Sequence, residues 1–412
     1  MKKPWVEDWG FAFDPFEHLE ASQDANLHRY LVGHRGWSAV FARQPHLVFS
    51  PPGGGKTALR LYLYRTCWTG GQGQRPFALH YSLPDCWENS ALPYLSTLPA
   101  PDLLHRHLAQ IVRTGARSLF FGLAYFPLLF LNRCSPSRRA LLAEFIIRAA
   151  PETRWYLDVI RETRNPNTAA VQAGNAYMLN HQPDFALLEV FLREWEKALP
   201  KPDNPVPLDS PHEALEQELF LIQEVLGFPG VFLLLDGIDG MLEYSEAHAL
   251  KILSPLIEQV ETWAERGIFL KAFLPKQLFD MRDGALQELS SRYPPVFISW
   301  QPDDLVELIR ARIRVATGGA FDSFASVSAP PLCYEDVEHT LISHLPQDRL
   351  LPREALALVR ELLDCYTRRM LQEFHPLKRL ELEDLDLAVR RYREGECFSL
   401  NPAVQSGRGG WK

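Results

Sequence analysis

The chain has 412 residues, of which 46% are hydrophobic and 23% are charged, a composition typical of a globular protein with room for two or three domains. Its formal net charge of -8 argues against a general attraction to nucleic acid or to anionic lipid. The six cysteines are widely separated, without CxxC pairs or zinc-ligand spacing, which indicates reduced thiols and a cytoplasmic location. The first residues lack the apolar segment of a signal peptide.

Five short apolar runs alternate with helical patterns, which is the sequence signature of an α/β fold. Their hydrophobicity is continuous rather than alternating, as expected for a parallel sheet that is covered on both faces. The sequence therefore predicts a five-stranded parallel sheet with strands at His46–Ser50, Phe77–Ser82, Gly230–Leu235, Gly267–Leu274 and Pro295–Trp300.

The interval between the second and third strands is far longer than a plain nucleotide-binding core needs, and we interpret it as crossover helices plus a helical insertion. Its helical patterns lie at Leu103–Leu131, Arg138–Ala149, Phe185–Leu199 and His212–Leu226, and a Pro- and Asp-rich loop lies at Pro200–Pro211. Further patterns follow the fifth strand, at Asp303–Ala316, Tyr334–His344, Arg353–Gln372 and Leu382–Arg393.

In terms of domains, these patterns predict a core, an insertion and a helical C-terminal domain. The predicted boundaries are an N-terminal linker (1–45), the core (46–83 and 228–300), a helical insertion and crossover (84–227), an all-helical C-terminal domain (301–395) and a flexible tail (396–412).

The most apolar segment is Ser118–Leu131, which is too short to span a bilayer and contains Pro127. The sequence favours a buried helix here and predicts no membrane span. A helix that touches a membrane or docks a partner is the alternative.

The segment Ser50-Pro51-Pro52-Gly53-Gly54-Gly55-Lys56-Thr57 stands between a predicted strand and the helical pattern that starts at Ala58. Strand, glycine loop and helix form the context in which a GKT motif binds phosphate, because glycines let backbone N–H groups face the phosphate oxygens. The sequence therefore predicts an ATP or GTP site.

The predicted nucleotide-contacting residues are Pro52, Gly53, Gly54, Gly55, Lys56, Thr57 and Ala58. Lys56 is expected to bridge the β- and γ-phosphates, and the Thr57 hydroxyl to ligate Mg2+. Ser50 stands where the pattern GxxxxGK[ST] has its first glycine. The alternative is a glycine-rich turn with a surface lysine.

The third apolar run ends in Asp236, and Asp239 follows three residues later. An acid at this strand end is expected beside the phosphate loop, where it holds Mg2+ through water. Asp239 is a candidate to orient or deprotonate the attacking water. Both residues have a simpler interpretation as turn or helix-capping aspartates.

The segment SPPGGGKT resembles the GPPGTGKT loop of AAA+ ATPases, and LLLDGIDG resembles the Walker B segment of STAND and NACHT-type ATPases. Ordinary AAA+ proteins carry Asp-Glu at the second motif, and this chain does not. The resemblance implies a P-loop NTPase core with a helical lid, ATP and Mg2+ as cofactors, and nucleotide hydrolysis. The N-terminal segment from Asp14 to Tyr30 resembles the linker of bacterial stand-alone ATPases of this type.

Two downstream segments are similar to origin-initiator AAA+ ATPases. Arg292 precedes the fifth strand, where the resemblance implies an arginine finger that acts on the nucleotide of a neighbouring subunit. Arg353 opens a helix of the C-terminal domain, where the resemblance implies a contact with the γ-phosphate. Each arginine has an alternative as an ordinary surface residue, beside a strand or in the first turn of a helix.

The function that this resemblance implies is an ATP-binding and ATP-hydrolysing molecular switch of AAA+/STAND type, acting on a partner protein in bacterial signalling or defence. The partner is expected at the helical insertion, and homo-oligomerisation is left open. A DNA-associated initiator- or transposition-type ATPase is one alternative, with support only from the basic clusters Tyr366–Arg369 and Lys378–Arg379. A nucleotide-bound scaffold that does not hydrolyse is the other.

Overall fold

We describe the chain from a computed structural model. It covers residues 3–33, 36–70, 74–83, 92–163, 174, 178, 184–199, 210–242, 245–281, 284–373 and 376–395. The predicted tail (396–412) and most of the predicted loop Pro200–Pro211 lie outside the described residues.

The described residues form a five-stranded sheet, and all its strand pairs are parallel, so the predicted α/β class is confirmed. The strand order is β2-β3-β4-β1-β5. The strands are β1 (His46–Ser50), β2 (Phe77–Ser82), β3 (Val231–Asp236), β4 (Ile268–Pro275) and β5 (Val296–Phe297).

The fifth strand is shorter than the predicted strand Pro295–Trp300. It lies at the edge of the sheet, where its only strand neighbour is β1. The pairing ends at Phe49 and Phe297, and β1 itself ends one residue later at Ser50. The prediction that Trp300 belongs to this strand was therefore wrong, because the neighbouring strand offers almost no further backbone groups to pair with.

Helices make up most of the remaining described chain. They are α1 (Pro4–Asp8), α2 (Trp37–Val40), α3 (Lys56–Thr69), α4 (Leu92–Leu95), α5 (Ala100–Tyr125), α6 (Pro127–Arg133), α7 (Pro136–Ala149), α8 (Thr153–Thr163), α9 (Phe185–Ala198), α10 (Pro211–Phe220), α11 (Asp239–Leu242), α12 (Glu246–Glu258), α13 (Val260–Glu265), α14 (Lys276–Asp280), α15 (Gly284–Arg292), α16 (Pro302–Ala316), α17 (Val337–Ser343), α18 (Pro352–Gln372) and α19 (Leu382–Glu394).

The described residues form two compact units. The first contains the described residues of Met1–Arg35, Pro52–Ala58 and Ile298–Lys412. The second contains those of Gly36–Pro51 and Leu59–Phe297, and therefore holds the whole sheet.

The predicted helix Leu103–Leu131 is broken into α5 and α6, which are bent by 89° at Phe126. Pro127 causes the break, since proline has no N–H to donate and clashes with the preceding turn. The segment Ser118–Tyr125 is buried throughout, as the sequence predicts. Within the described chain no single helix is long and apolar enough to span a membrane, and α5 with α6 meets that test only as a bent pair.

In the first unit, the N-terminal residues pack on the C-terminal helices. The Trp9 ring lies 4.7 Å from the ring of Tyr366, and its indole donates to the Lys378 carbonyl at 3.2 Å. Arg312, which is only 5% exposed, pairs with Asp24 at 3.1 Å. The N-terminal segment that the sequence predicts to be a linker is thus anchored at Trp9 and at Asp24.

In the second unit, Lys271 of β4 is fully buried although it is charged in water. Its Nζ donates to the carbonyls of Ala42 (2.6 Å) and Gln44 (2.7 Å) and lies 2.9 Å from Nδ1 of His46. Burial lowers the pKa of Lys271 to about 7. The two bonds to carbonyls fix the chain just before β1, the strand that leads to the glycine loop.

A second buried charge-bearing group lies between α5 and α10. Glu218 is 1% exposed, and neither of its carboxyl oxygens has a hydrogen-bond partner among the described residues. It fits against Gly115, where a Cβ would lie 1.8 Å from its Oε1. Burial raises the pKa of the Glu218 carboxyl well above its ordinary value, which favours the neutral form of the group in the folded chain.

This burial makes stability depend on pH. A raised pKa in the folded state means that the folded chain binds more protons than the unfolded chain above about pH 4.3, the ordinary value for glutamate. The contribution of Glu218 to the free energy of unfolding is therefore expected to decrease as pH rises from about 5 to about 8, and it is measured as the difference between the wild-type and Glu218→Met chains. Glu218→Met removes the titrating group and should raise the free energy of unfolding at pH 8 by about 1–3 kcal/mol, as measured by urea denaturation.

The control is Glu213→Met, since Glu213 is exposed on the same helix. It should shift stability by less than about 0.5 kcal/mol and keep the pH dependence of the wild-type chain. A Glu218→Met variant that is less stable than wild type at both pH values would contradict this account.

Candidate functional site

The order of the strands identifies one place where a ligand is expected. The connection from β1 to β2 crosses the sheet in one direction, whereas those from β2 to β3, β3 to β4 and β4 to β5 run in the other. Right-handed crossovers put the two sets on opposite faces. The crevice at this reversal lies beyond the carboxyl ends of β1 and β4, at Ser50 and Pro275.

The glycine loop follows Ser50 and leads into α3, a helix of 14 residues. Gly53 and Gly55 have φ values of +80° and +98°, which side chains with a Cβ rarely adopt. The first N–H groups of a helix have no partner within the helix and attract anions. Lys56 opens the helix and is 4% exposed. The loop and its lysine thus fit a phosphate group.

Trp300 contacts the glycine loop at two of its residues. Its indole N–H donates to the Gly54 carbonyl at 2.9 Å, and its ring lies 3.5 Å from the position that a Cβ on Gly55 would take. Trp300 was not identified from the sequence as a neighbour of the loop, because its apolar run predicts a strand there.

Arg353, the second residue of α18, contacts the same loop. Its backbone N–H donates to the Gly53 carbonyl at 3.3 Å, and a Cβ on Gly53 would lie 2.8 Å from the Arg353 Cβ. Its Nη2 donates to Glu20, with distances of 2.7 Å to Oε1 and 3.0 Å to Oε2. Its Nε is buried and has no hydrogen-bond partner in the part of the chain that the structure describes.

Within the second unit, Asp236 is the last residue of β3 and is 5% exposed. Its Oδ2 accepts a hydrogen bond from Arg60 Nε at 2.8 Å, and its Oδ1 accepts one from the Gly237 N–H at 2.8 Å. Asp236 is therefore an oriented carboxylate that pairs with an arginine. The strand β4 lies between β3 and β1. The strand that ends at Asp236 is therefore not adjacent to β1, the strand that leads into the glycine loop.

His80 of β2 belongs to the same buried polar group. Burial, and next the charge of Arg60, lower the pKa of His80 well below its ordinary value. Its Nε2 is buried without a hydrogen-bond partner among the described residues. Arg60 and His80 were not identified from the sequence. Neither the pattern of α3 nor that of β2 indicates that Arg60 pairs with Asp236 or that His80 lies near Arg60.

The two remaining predicted residues also lie in the second unit. Asp239 opens the short helix α11, three residues beyond the end of β3. Arg292 ends α15, and its half-exposed side chain pairs with Glu261 and, at 2.7 Å, with Glu288. Arg292 is thus engaged by carboxylates of its own chain.

Comparison of the chain with protein-family models, with curated proteins and with solved structures finds no match.

The buried Arg60–Asp236 pair makes a testable contribution to stability. Arg60→Met leaves the Asp236 carboxylate buried without its counter-ion, which should lower the free energy of unfolding by about 3–5 kcal/mol. The double variant Arg60→Met/Asp236→Leu removes both charges and should recover most of that loss, because an apolar pair of similar size carries no desolvation cost. Urea denaturation of the full chain measures both.

Arg292→Met is the matched control, since it breaks half-exposed pairs that are each worth about 0–1 kcal/mol. The pairing account would be wrong if Arg60→Met cost no more than this control, or if the double variant recovered nothing.

Proposed function

We propose that the chain is an ATP-binding, Mg2+-dependent molecular switch of AAA+/STAND type that hydrolyses ATP and acts on a partner protein. The observation that carries the proposal is the contact between the glycine loop and Arg353: a loop with two positive-φ glycines has a buried, unpartnered arginine donor beside it. An orphan guanidinium donor next to a phosphate-type loop is expected where an anion binds.

In this proposal, the loop N–H groups from Gly53 to Thr57 bind phosphate oxygens, and Lys56 neutralises the β- and γ-phosphates. Mg2+, when bound, supplies charge neutralisation of those phosphates. Thr57 and Asp236 are its proposed ligands, with Asp236 acting through a metal-bound water.

Asp239 is the proposed acid that orients the attacking water. Arg353 is proposed to bind the γ-phosphate, and loss of that phosphate after hydrolysis withdraws its ligand. Because Arg353 lies in the first turn of α18, the change is expected to alter the conformation of the C-terminal helices. We propose Arg292 as a residue that acts on a neighbouring copy, which requires its release from Glu261 and Glu288.

The DNA-associated alternative is less well supported. Three of the four basic residues on which it depends are used within the chain: Arg369 pairs with Asp384 at 2.9 Å, Lys378 with Asp8 at 2.6 Å, and Arg379 donates to the Ser328 carbonyl at 3.3 Å. Residues engaged in this way offer little charge to a phosphate backbone.

A second candidate function, a nucleotide-bound scaffold, is favoured by the Arg60–Asp236 pair. An arginine on the proposed metal-binding carboxylate reduces its attraction for Mg2+. Single-turnover measurements with protein in excess of ATP separate the two functions. Inorganic phosphate is released by the switch, whereas the scaffold binds ATP and releases none.

Nucleotide binding itself is tested by Lys56→Ala. The variant should bind Mg2+-ATP about a hundredfold or more weakly, since charge-assisted hydrogen bonds to phosphate are each worth about 1.5–3 kcal/mol. Isothermal titration calorimetry on the full chain measures this, with GTP as a competitor to distinguish the two nucleotides.

Lys251→Ala, which removes an exposed lysine from α12, is the control and should leave the affinity unchanged. A Lys56→Ala variant that binds ATP as well as the wild-type chain does would refute the phosphate-loop assignment.

A further inference from the structure

Glu20 contacts the arginine that we propose binds the γ-phosphate. Its carboxylate lies 2.7 Å and 3.0 Å from Nη2 of Arg353, and the two side chains are 51% and 36% exposed. The pair is therefore accessible to solvent and weak enough to exchange partners. It joins the N-terminal segment to the first turn of α18.

The backbone around Glu20 is held in place on both sides. Phe16, four residues earlier, is 1% exposed, and the Pro15 carbonyl accepts a hydrogen bond from Arg312. Asp24, four residues later, pairs with the same Arg312 at 3.1 Å. Glu20 is thus kept within reach of Arg353 by anchored neighbours, so its position does not depend on the ion pair alone.

The guanidinium of Arg353 is only partly used. Glu20 occupies Nη2, while the buried Nε has no hydrogen-bond partner among the described residues and lies 3.4 Å from the Cβ position of Gly53. A phosphate binds arginine most strongly through two parallel donors of the planar fork. A phosphate at the glycine loop that takes Nε and Nη2 together must displace Glu20 from Nη2.

We infer that Glu20 is the counter-ion that competes with the terminal phosphate of a nucleotide for Arg353, and that it sets the preference of the site between nucleoside triphosphates and diphosphates. This inference rests on the proposed nucleotide-binding function. In the proposed function, a triphosphate must break the Glu20–Arg353 pair to bind Arg353 through its terminal phosphate, whereas a diphosphate has no terminal phosphate to compete with Glu20. Glu20 therefore lowers the affinity for the triphosphate selectively.

The test compares Glu20→Gln with the wild-type chain in calorimetric titrations of Mg2+-ATP and Mg2+-ADP. Glu20→Gln should bind ATP about two- to fivefold more tightly, the range for loss of one exposed ion pair, and bind ADP with unchanged affinity. Glu17→Gln is the matched control, since Glu17 is a similarly exposed acid of the same segment that pairs with Lys3, and it should change neither affinity.

In an Arg353→Gln background, Glu20→Gln should have no effect, because the group it competes for is gone. Equal ATP affinities of the wild-type and Glu20→Gln chains, or equal gains for ATP and ADP, would overturn this inference and leave nucleotide binding intact. Failure of the wild-type chain to bind either nucleotide would overturn both the proposed function and the role of Glu20.

Discussion

The close approach of Arg353 to Gly53 is the constraint around which the candidate site is built. The backbone of Gly53 has a positive φ, and a Cβ there would meet the Arg353 Cβ at 2.8 Å. Any other residue would be strained by the backbone and pushed away by the arginine. Glycine at this position therefore serves two purposes: it shapes the loop and lets a C-terminal helix begin against it. Trp300 and Glu20 act on the same small group of atoms, one through the Gly54 carbonyl and one through the guanidinium.

The second feature that governs the proposed chemistry is the buried pair of Arg60 and Asp236. A carboxylate that is 5% exposed needs a counter-ion, and Arg60 supplies one. In the proposed nucleotide-bound state, Mg2+ and Arg60 both act on the Asp236 charge. This arrangement lowers the attraction for the metal, and the proposed switch would therefore bind nucleotide more readily than it hydrolyses it.

The sequence predicts the sheet well, because buried parallel strands are continuous apolar runs and their ends are marked by turn residues. It fails where a long-range contact decides the structure. Arg60 and Asp236 are 176 residues apart in the chain, and no periodic pattern connects them. Lys271 lies within a strand that the sequence pattern predicts to be apolar. The carbonyls that accept its hydrogen bonds belong to a turn that precedes β1. Pro127 is a signal for the break at Phe126, but the apolar character of the segment favoured an unbroken helix in the sequence-based prediction.

In the candidate site, the glycine loop and Arg353 were identified from local motifs, whereas Glu20 and Trp300 depend on tertiary contacts.

The central claim, that the glycine loop binds the phosphates of ATP, is tested most directly by hydrogen–deuterium exchange of the full chain with and without Mg2+-ATP. The account predicts slower exchange of the backbone amides in residues 50–58 when the nucleotide is bound, because those N–H groups donate to phosphate oxygens. Nucleotide binding that leaves the exchange of residues 50–58 unchanged, and protects another part of the chain instead, would contradict it.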